Sequence, residues 1–92
     1  MGSLALRVKI LPTDPKMKAE GILEEINKIE NIEINIVKHH SQPIAFGLEA
    51  LIADLIISDE EGKINELEEI MEANNKISQM DIIAMSKIAT RK

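Results

Sequence analysis

Leu4-Ala5-Leu6-Arg7-Val8-Lys9-Ile10 decides how the rest of the chain is read. Leu4, Leu6, Val8 and Ile10 share one side, and Arg7 and Lys9 share the other. Such period-two alternation predicts a half-buried strand. Pro12-Thr13-Asp14-Pro15 ends it, because two prolines remove ladder donors and bend the chain into a loop. From about Lys16 to Ile29 the period lengthens. Ile22, Ile26 and Ile29, with Leu23, fall on one helical stripe, and Glu24, Glu25 and Lys28 fall opposite. Asn31 follows, at a place where a left-handed helix cap is expected. Alternation returns at Ile32, Ile34 and Ile36, which predicts a second strand to about His39.

His40-Ser41-Gln42-Pro43-Ile44-Ala45-Phe46-Gly47 reads as a connection. A third strand follows, from about Leu48 to Ile57. Its core face is assigned to Leu51, Ala53, Leu55 and Ile57, because Asp54 shares parity with Ile52 and Ile56. Ser58-x-x-Glu61 has capping-box spacing, yet Gly62 and the apolar pattern favour a later helix start. Ile64, Leu67, Ile70 and Met71 define that second helix, with Glu66, Glu68, Glu69 and Glu72 outward and Asn74-Asn75 at its end. A last strand runs from about Ile77 to Ile88, and the tail from about residue 89 to 92 is expected to be loose.

The order is therefore βαββαβ. Two right-handed βαβ units side by side give an α+β, ferredoxin-like plait: a four-stranded antiparallel sheet with two helices on one face. With 92 residues, the chain fits a single domain, 1–92, that needs one efficient core.

Composition works by subtraction. The chain has no Cys, Trp or Tyr, one Phe, and a formal net charge of −5. Disulfides, thiolate metal sites and cysteine nucleophiles are excluded. An acidic chain lacks the basic stripe that neutralises nucleic-acid phosphates, and one aromatic does not make a base-stacking platform. No apolar run reaches the ~18–20 residues that span a bilayer, and nothing at the start resembles a signal peptide. A soluble cytoplasmic protein is the expectation.

Specific chemistries can be checked against their required residues. His39 and His40 are strand neighbours that point to opposite faces, so they do not grip one metal ion together. The glutamate pairs Glu24-Glu25 and Glu60-Glu61 read as solvated surface, without the shielded setting a general acid requires. There is no Cys-x-x-Cys loop, no Arg-bearing phosphate loop after the first strand, and no nucleotide-binding Gly-x-x-x-x-Gly-Lys stretch. No catalytic residue, metal or cofactor is expected, and contact with a partner is left as the function.

Two places stand out for that contact. Pro43-Ile44-Ala45-Phe46-Gly47 is apolar where a loop is normally polar. Its Phe46 is either an exposed anchor for a partner's pocket or a plug folded onto its own core; composition alone favours the plug. The second is Lys87, which shares parity with Asp81 near the end of the last strand.

Together these segments resemble a known family. Gln42-Pro43-Ile44-Ala45-Phe46-Gly47-Leu48, the acidic Ser58-Asp59-Glu60-Glu61, and Met80-Asp81-Ile82-Ile83-Ala84-Met85-Ser86-Lys87-Ile88 look like the exchange domain of translation elongation factor 1-beta, from the first strand to Ile88. The stand-alone length looks archaeal. The resemblance implies a guanine nucleotide exchange factor that promotes GDP release from elongation factor 1-alpha during translation elongation, without covalent chemistry. It also implies that Phe46 makes a hydrophobic contact with the GTPase. Lys87, before Ile88, matches a lysine that reaches the nucleotide site and disturbs its magnesium and phosphate region. Arg91 and Lys92 remain alternatives for that lysine, since four residues follow Ile88. Glu49-Ala50 stands where eukaryotic relatives favour Lys-Lys, and their tryptophan is absent.

In the plait, the turn between the second and third strands and the end of the fourth lie at opposite ends of the sheet. Strands of about 7–9 residues at ~3.3 Å each put Phe46 and Lys87 roughly 20–30 Å apart. A monomer with an elongated contact is expected. The competing reading is a plait of the small-molecule-sensing or assembly class, a homodimer joined through Ile52, Ile56 and Ile83. An inert ribosomal-type plait is disfavoured by the acidic charge.

Overall fold

Alternation places Leu6, Val8 and Ile10 on one side of the first strand, and in the computed structural model these three are fully buried. The structure describes residues 2–89. Its elements are β1 (Gly2–Pro12), α1 (Ala19–Asn27), β2 (Asn35–Pro43), β3 (Glu49–Ser58), α2 (Lys63–Ala73) and β4 (Ile77–Ala89). The strands form one antiparallel sheet in the order β2-β3-β1-β4. This is the ferredoxin-like βαββαβ arrangement.

The register brings Leu6 opposite Leu55, Val8 opposite Ala53 and Ile10 opposite Leu51. Residues directly opposite in a ladder share a face. That face, with Ile57, meets Ala19, Ile22 and Ile26 of α1 and Leu67 and Met71 of α2 in a single core. Both helices therefore cover one face, and the core set chosen for β3 by the parity of Asp54 is the observed one. Asp54 lies on the open face, where its carboxylate accepts hydrogen bonds from Arg7 Nε (2.9 Å) and Nη2 (3.3 Å). The Arg7 bonds hold the Asp54 carboxyl below its usual range. Ile52 is on the same open face yet only 8% exposed, flanked across the strands by Lys9 and His40.

Helix α1 is shorter than the apolar period suggests. Lys16 N–H donates to Asp14 Oδ1 and Met17 N–H to Asp14 O, so a turn occupies the residues after Pro15. Lys18, the N-cap, is extended and contributes no side-chain cap. The carboxylate of Glu49 does that work from β3: Ala19 N–H donates to its Oε1 at 3.2 Å, and Lys18 Nζ sits 3.8 Å from its Oε2. A negative charge is favoured there by the unpaired N–H groups and the helix dipole. At the other end Asn31 does not adopt the expected left-handed cap. Lys28 closes the helix in right-handed geometry, and among the described residues Phe46 is the one non-glycine with positive φ.

Glu25 is a further correction. Expected on the solvated side, it is buried and joins three elements. Its carboxylate accepts from Asn74 Nδ2 (2.9 Å), Lys28 Nζ (3.2 Å) and Lys76 Nζ (3.4 Å). Those bonds tie α1 to the end of α2 and the start of β4. Helix α2 begins at Lys63 after the N-cap Gly62, the later start that the apolar pattern indicated.

The edge strands hold the largest departures. Ile32 and Ile34 precede β2: Ile32 is buried in the core from the connection after α1, and the strand begins only at Asn35. It then continues through His40, Ser41, Gln42 and Pro43, which pair with Ile52, Leu51, Ala50 and Glu49. A polar stretch ending in proline is tolerated there because β2 is an edge, paired on one side only. Ladder irregularities interrupt both edges, between Ile36 and Lys38 on β2 and opposite the Arg7/Val8 step on β4. Each inserts one extra residue, Val37 and Ile83, and both are exposed. An inserted residue reverses the parity of everything beyond it.

Candidate functional site

The turn between β2 and β3 is closed by its own backbone. Ile44 N–H donates to Leu48 O at 2.7 Å, and Leu48 N–H donates to Ala45 O at 3.2 Å. Phe46 and Gly47 cross the top with φ of 63° and 77°. A Cβ on Gly47 would meet nothing within 4 Å, so glycine is required there for its backbone and not for space. Phe46 occupies the left-handed region without that freedom, at a cost of about 1–2 kcal/mol for an L-residue. The residue is 101% exposed. The plug is therefore excluded: the chain's one aromatic touches no core and stands in water on a strained tip. Ile44 beside it is also exposed, and Pro43 is the last residue of β2, opposite Glu49.

Glu49-Ala50 also acquires a structural account. The Glu49 carboxylate is turned back onto the start of α1, away from the tip, and Ala50 is fully buried.

Lys87 lies at the other end of the sheet. It pairs with Leu4, which pairs in turn with Ile57 near the end of β3. From Ile57 back to Glu49 is about 26 Å of strand at ~3.3 Å per residue, and the tip lies beyond. The overall extents are 46 × 22 × 18 Å. Phe46 and Lys87 are thus not brought together; they mark the two ends of a long molecule.

The shared parity of Lys87 and Asp81 does not survive the bulge at Ile83. Asp81 pairs with Lys9 on the open face, whereas Lys87 pairs with Leu4 on the helix side. Ile88, paired with Ser3, returns to the open face and is partly exposed. The side chain of Lys87 is 75% exposed, with its ammonium 3.8 Å from Asp59 Oδ2. Asp59 belongs to the acidic stretch after β3 and had no role assigned from sequence, because 28 positions separate it from its lysine in the chain. Arg91 and Lys92 lie outside the described residues.

His39 and His40 pair with Ala53 and Ile52, on opposite faces. Among the described residues no group of three or more His, Asp or Glu is placed to hold a metal ion, and no helix is long and apolar enough to cross a membrane.

The sequence model of the family described as the EF-1 guanine nucleotide exchange domain matches residues 5–88. Elongation factor 1-beta of Thermofilum pendens is 30% identical over 90 residues, covering 97% of this chain and 99% of its own. The same factor from Methanosarcina mazei is 30% identical, covering 96% of this chain and all of its own. That of Methanococcus maripaludis is 25% identical with equal coverage. The matched span takes in both ends, the Phe46 turn and the Lys87 strand, on the four-stranded frame that separates them: the chain belongs to the EF-1 guanine nucleotide exchange domain family, with archaeal homologues over nearly its full length.

Proposed function

We propose that this chain, as a single domain and a monomer in the cytoplasm, promotes GDP release from elongation factor 1-alpha by gripping the GTPase at two separated points. Phe46, with Pro43, Ile44, Ala45 and Gly47 shaping its turn, anchors one part of the partner. Lys87, beside Ile88, acts on the nucleotide site. The observation that carries the two-point reading is the full exposure of Phe46 on a strained tip. Bulky residues held at positive φ cluster where a side chain must be presented, and an aromatic that costs its own fold solvent contact is suited to a partner's pocket.

No covalent step is needed. A factor that binds the nucleotide-free GTPase more tightly than the GDP-bound one lowers the affinity for GDP by the same factor, by linkage. Lys87 supplies differential binding if its ammonium approaches the magnesium site: it repels the cation and competes for its carboxylate ligands. Phe46 has no such selectivity and serves affinity. Two ends some 30 Å apart leave each job to a different residue.

The monomer is supported by the open face, where the Arg7–Asp54 ion pair interrupts Ile52, Ile56 and Ile83. The test is release of labelled GDP from elongation factor 1-alpha with and without the chain. Acceleration at substoichiometric amounts is expected; none at stoichiometric amounts would overturn the function.

A further inference from the structure

Lysine is a poor instrument for a positional task. Its ammonium rides on four rotatable bonds and gives up much rotamer freedom when fixed. An end-of-strand lysine, 75% exposed, therefore gains from anything that narrows its range before the partner arrives. Asp59 is placed to do this.

Asp59 is held by backbone on both sides. Its N–H donates to Gly2 O at 3.2 Å, and its Oδ1 accepts from Gly2 N–H at 3.3 Å. The carboxylate lies so close to Gly2 that an added Cβ would sit 2.6 Å from Oδ2, so glycine leaves the room it uses. Being 21% exposed and pinned to the first strand, it is a fixed negative point beside a mobile positive one. At 3.8 Å the ammonium is attracted but not hydrogen-bonded. Such a pair restricts direction while costing little to open, since an ion pair with a solvent-exposed partner contributes little. The bulge at Ile83 is what makes the meeting possible. Without it Lys87 would point to the open face, away from the β3–α2 connection that carries Asp59.

We infer that Asp59 is a positioning residue for Lys87: it holds the ammonium at the helix-side corner of the sheet, preoriented for transfer to the partner's nucleotide site. The inference rests on the two-point reading above. Preorientation raises the fraction of docked complexes in which the lysine is in place, and so acts on the maximal rate and not on the affinity.

The test measures GDP release from elongation factor 1-alpha over a range of factor concentrations. Asp59→Asn keeps an oxygen for the Gly2 N–H and removes the charge. It is expected to lower the maximal rate several-fold at an unchanged half-saturating concentration, and Asp59→Glu to restore most of the loss. In a Lys87→Ala background, Asp59→Asn should change nothing further. Equal losses in both backgrounds, a change confined to half-saturation, or an unchanged or faster rate for Asp59→Asn would each overturn the inference. Failure of the wild-type chain to release GDP would instead sink the exchange function itself, so the two failures are told apart.

Discussion

The two ends of the sheet solve presentation in opposite ways. At the β2–β3 turn a large, apolar, rotationally poor side chain is raised on a strained but internally bonded loop, with no contact to its own fold. At the β4 end a long, charged, flexible side chain is loosely held by a carboxylate that is itself fixed to backbone. One end invests in backbone geometry, the other in electrostatics. Under the proposed function the difference suits what each end would meet: an apolar pocket takes a rigid shape, whereas an ion site takes a charge that must leave water late.

The widest way to break this division is at the charged end. Lys87→Ala should lower the maximal rate of GDP release about thirty-fold or more, the ~2 kcal/mol scale of truncating a desolvated charge in an interface. Its half-saturating concentration should change little. If instead it weakens binding at an unchanged maximal rate, the two ends do the same job and the contrast fails. If it has no effect, Lys87 is not the nucleotide-site cation.

Phe46→Ala probes the other end. About ten-fold more factor should be required for half-maximal release, roughly 1.4 kcal/mol, with the maximal rate kept. Because the ring touches nothing in its own chain, thermal stability should not fall. A loss of stability comparable to a core truncation would mean the ring is buried after all.

A buried junction outside both presented side chains sharpens the comparison by being neutral to it. Glu25 joins α1, α2 and β4 through Asn74, Lys28 and Lys76 and bonds neither Phe46 nor Lys87, and its carboxyl is held below the usual glutamate range by the Asn74 hydrogen bond first and the Lys28 bond next, against the opposing effect of burial. A lowered folded-state pKa means the contribution is fully present above the unfolded value and is lost as pH falls through the folded one. Glu25→Gln should therefore cost about 1–2 kcal/mol at neutral pH, and the deficit should shrink as wild type is acidified below the ordinary carboxylate range. Urea melts across pH check this. The split between maximal rate and half-saturation should not move.

Much of the frame was legible because parity and period are local. Leu4 to Ile10 and Leu51 to Ile57 each show their buried face without reference to the rest of the chain, and two such strands with two amphipathic stripes leave few topologies. What was not legible is what depends on a neighbour. Val37 and Ile83 look like ordinary alternating residues, and only the partner strand shows that each is inserted, which is why Lys87 and Asp81 part company. Ile32 carries strand-like spacing but is buried from a connection. Glu25 reads as surface until Asn74 and Lys76 arrive from the far half of the chain. At the site, the apolar turn was visible as a motif, yet composition alone favoured a Phe46 turned inward, and only the resemblance pointed to an exposed anchor. Asp59 was visible only as part of an acidic run.

The finest test isolates strain from contact at the apolar tip. Alanine at position 46 removes the ring but still occupies positive φ, so it retains most of the left-handed cost. Asparagine removes the ring too, and tolerates that region because its short polar side chain bonds locally. Phe46→Asn should therefore be more stable than both Phe46→Ala and wild type, by about 0.5–1 kcal/mol, a rise in Tm of a few degrees for a domain this small. Its half-saturating concentration should match that of the alanine variant. A protein that becomes more stable as it becomes a worse factor would show that the strain at φ 63° is maintained for presentation. If Phe46→Asn is no more stable than Phe46→Ala, the turn relaxes in solution and rigidity does not distinguish the two ends.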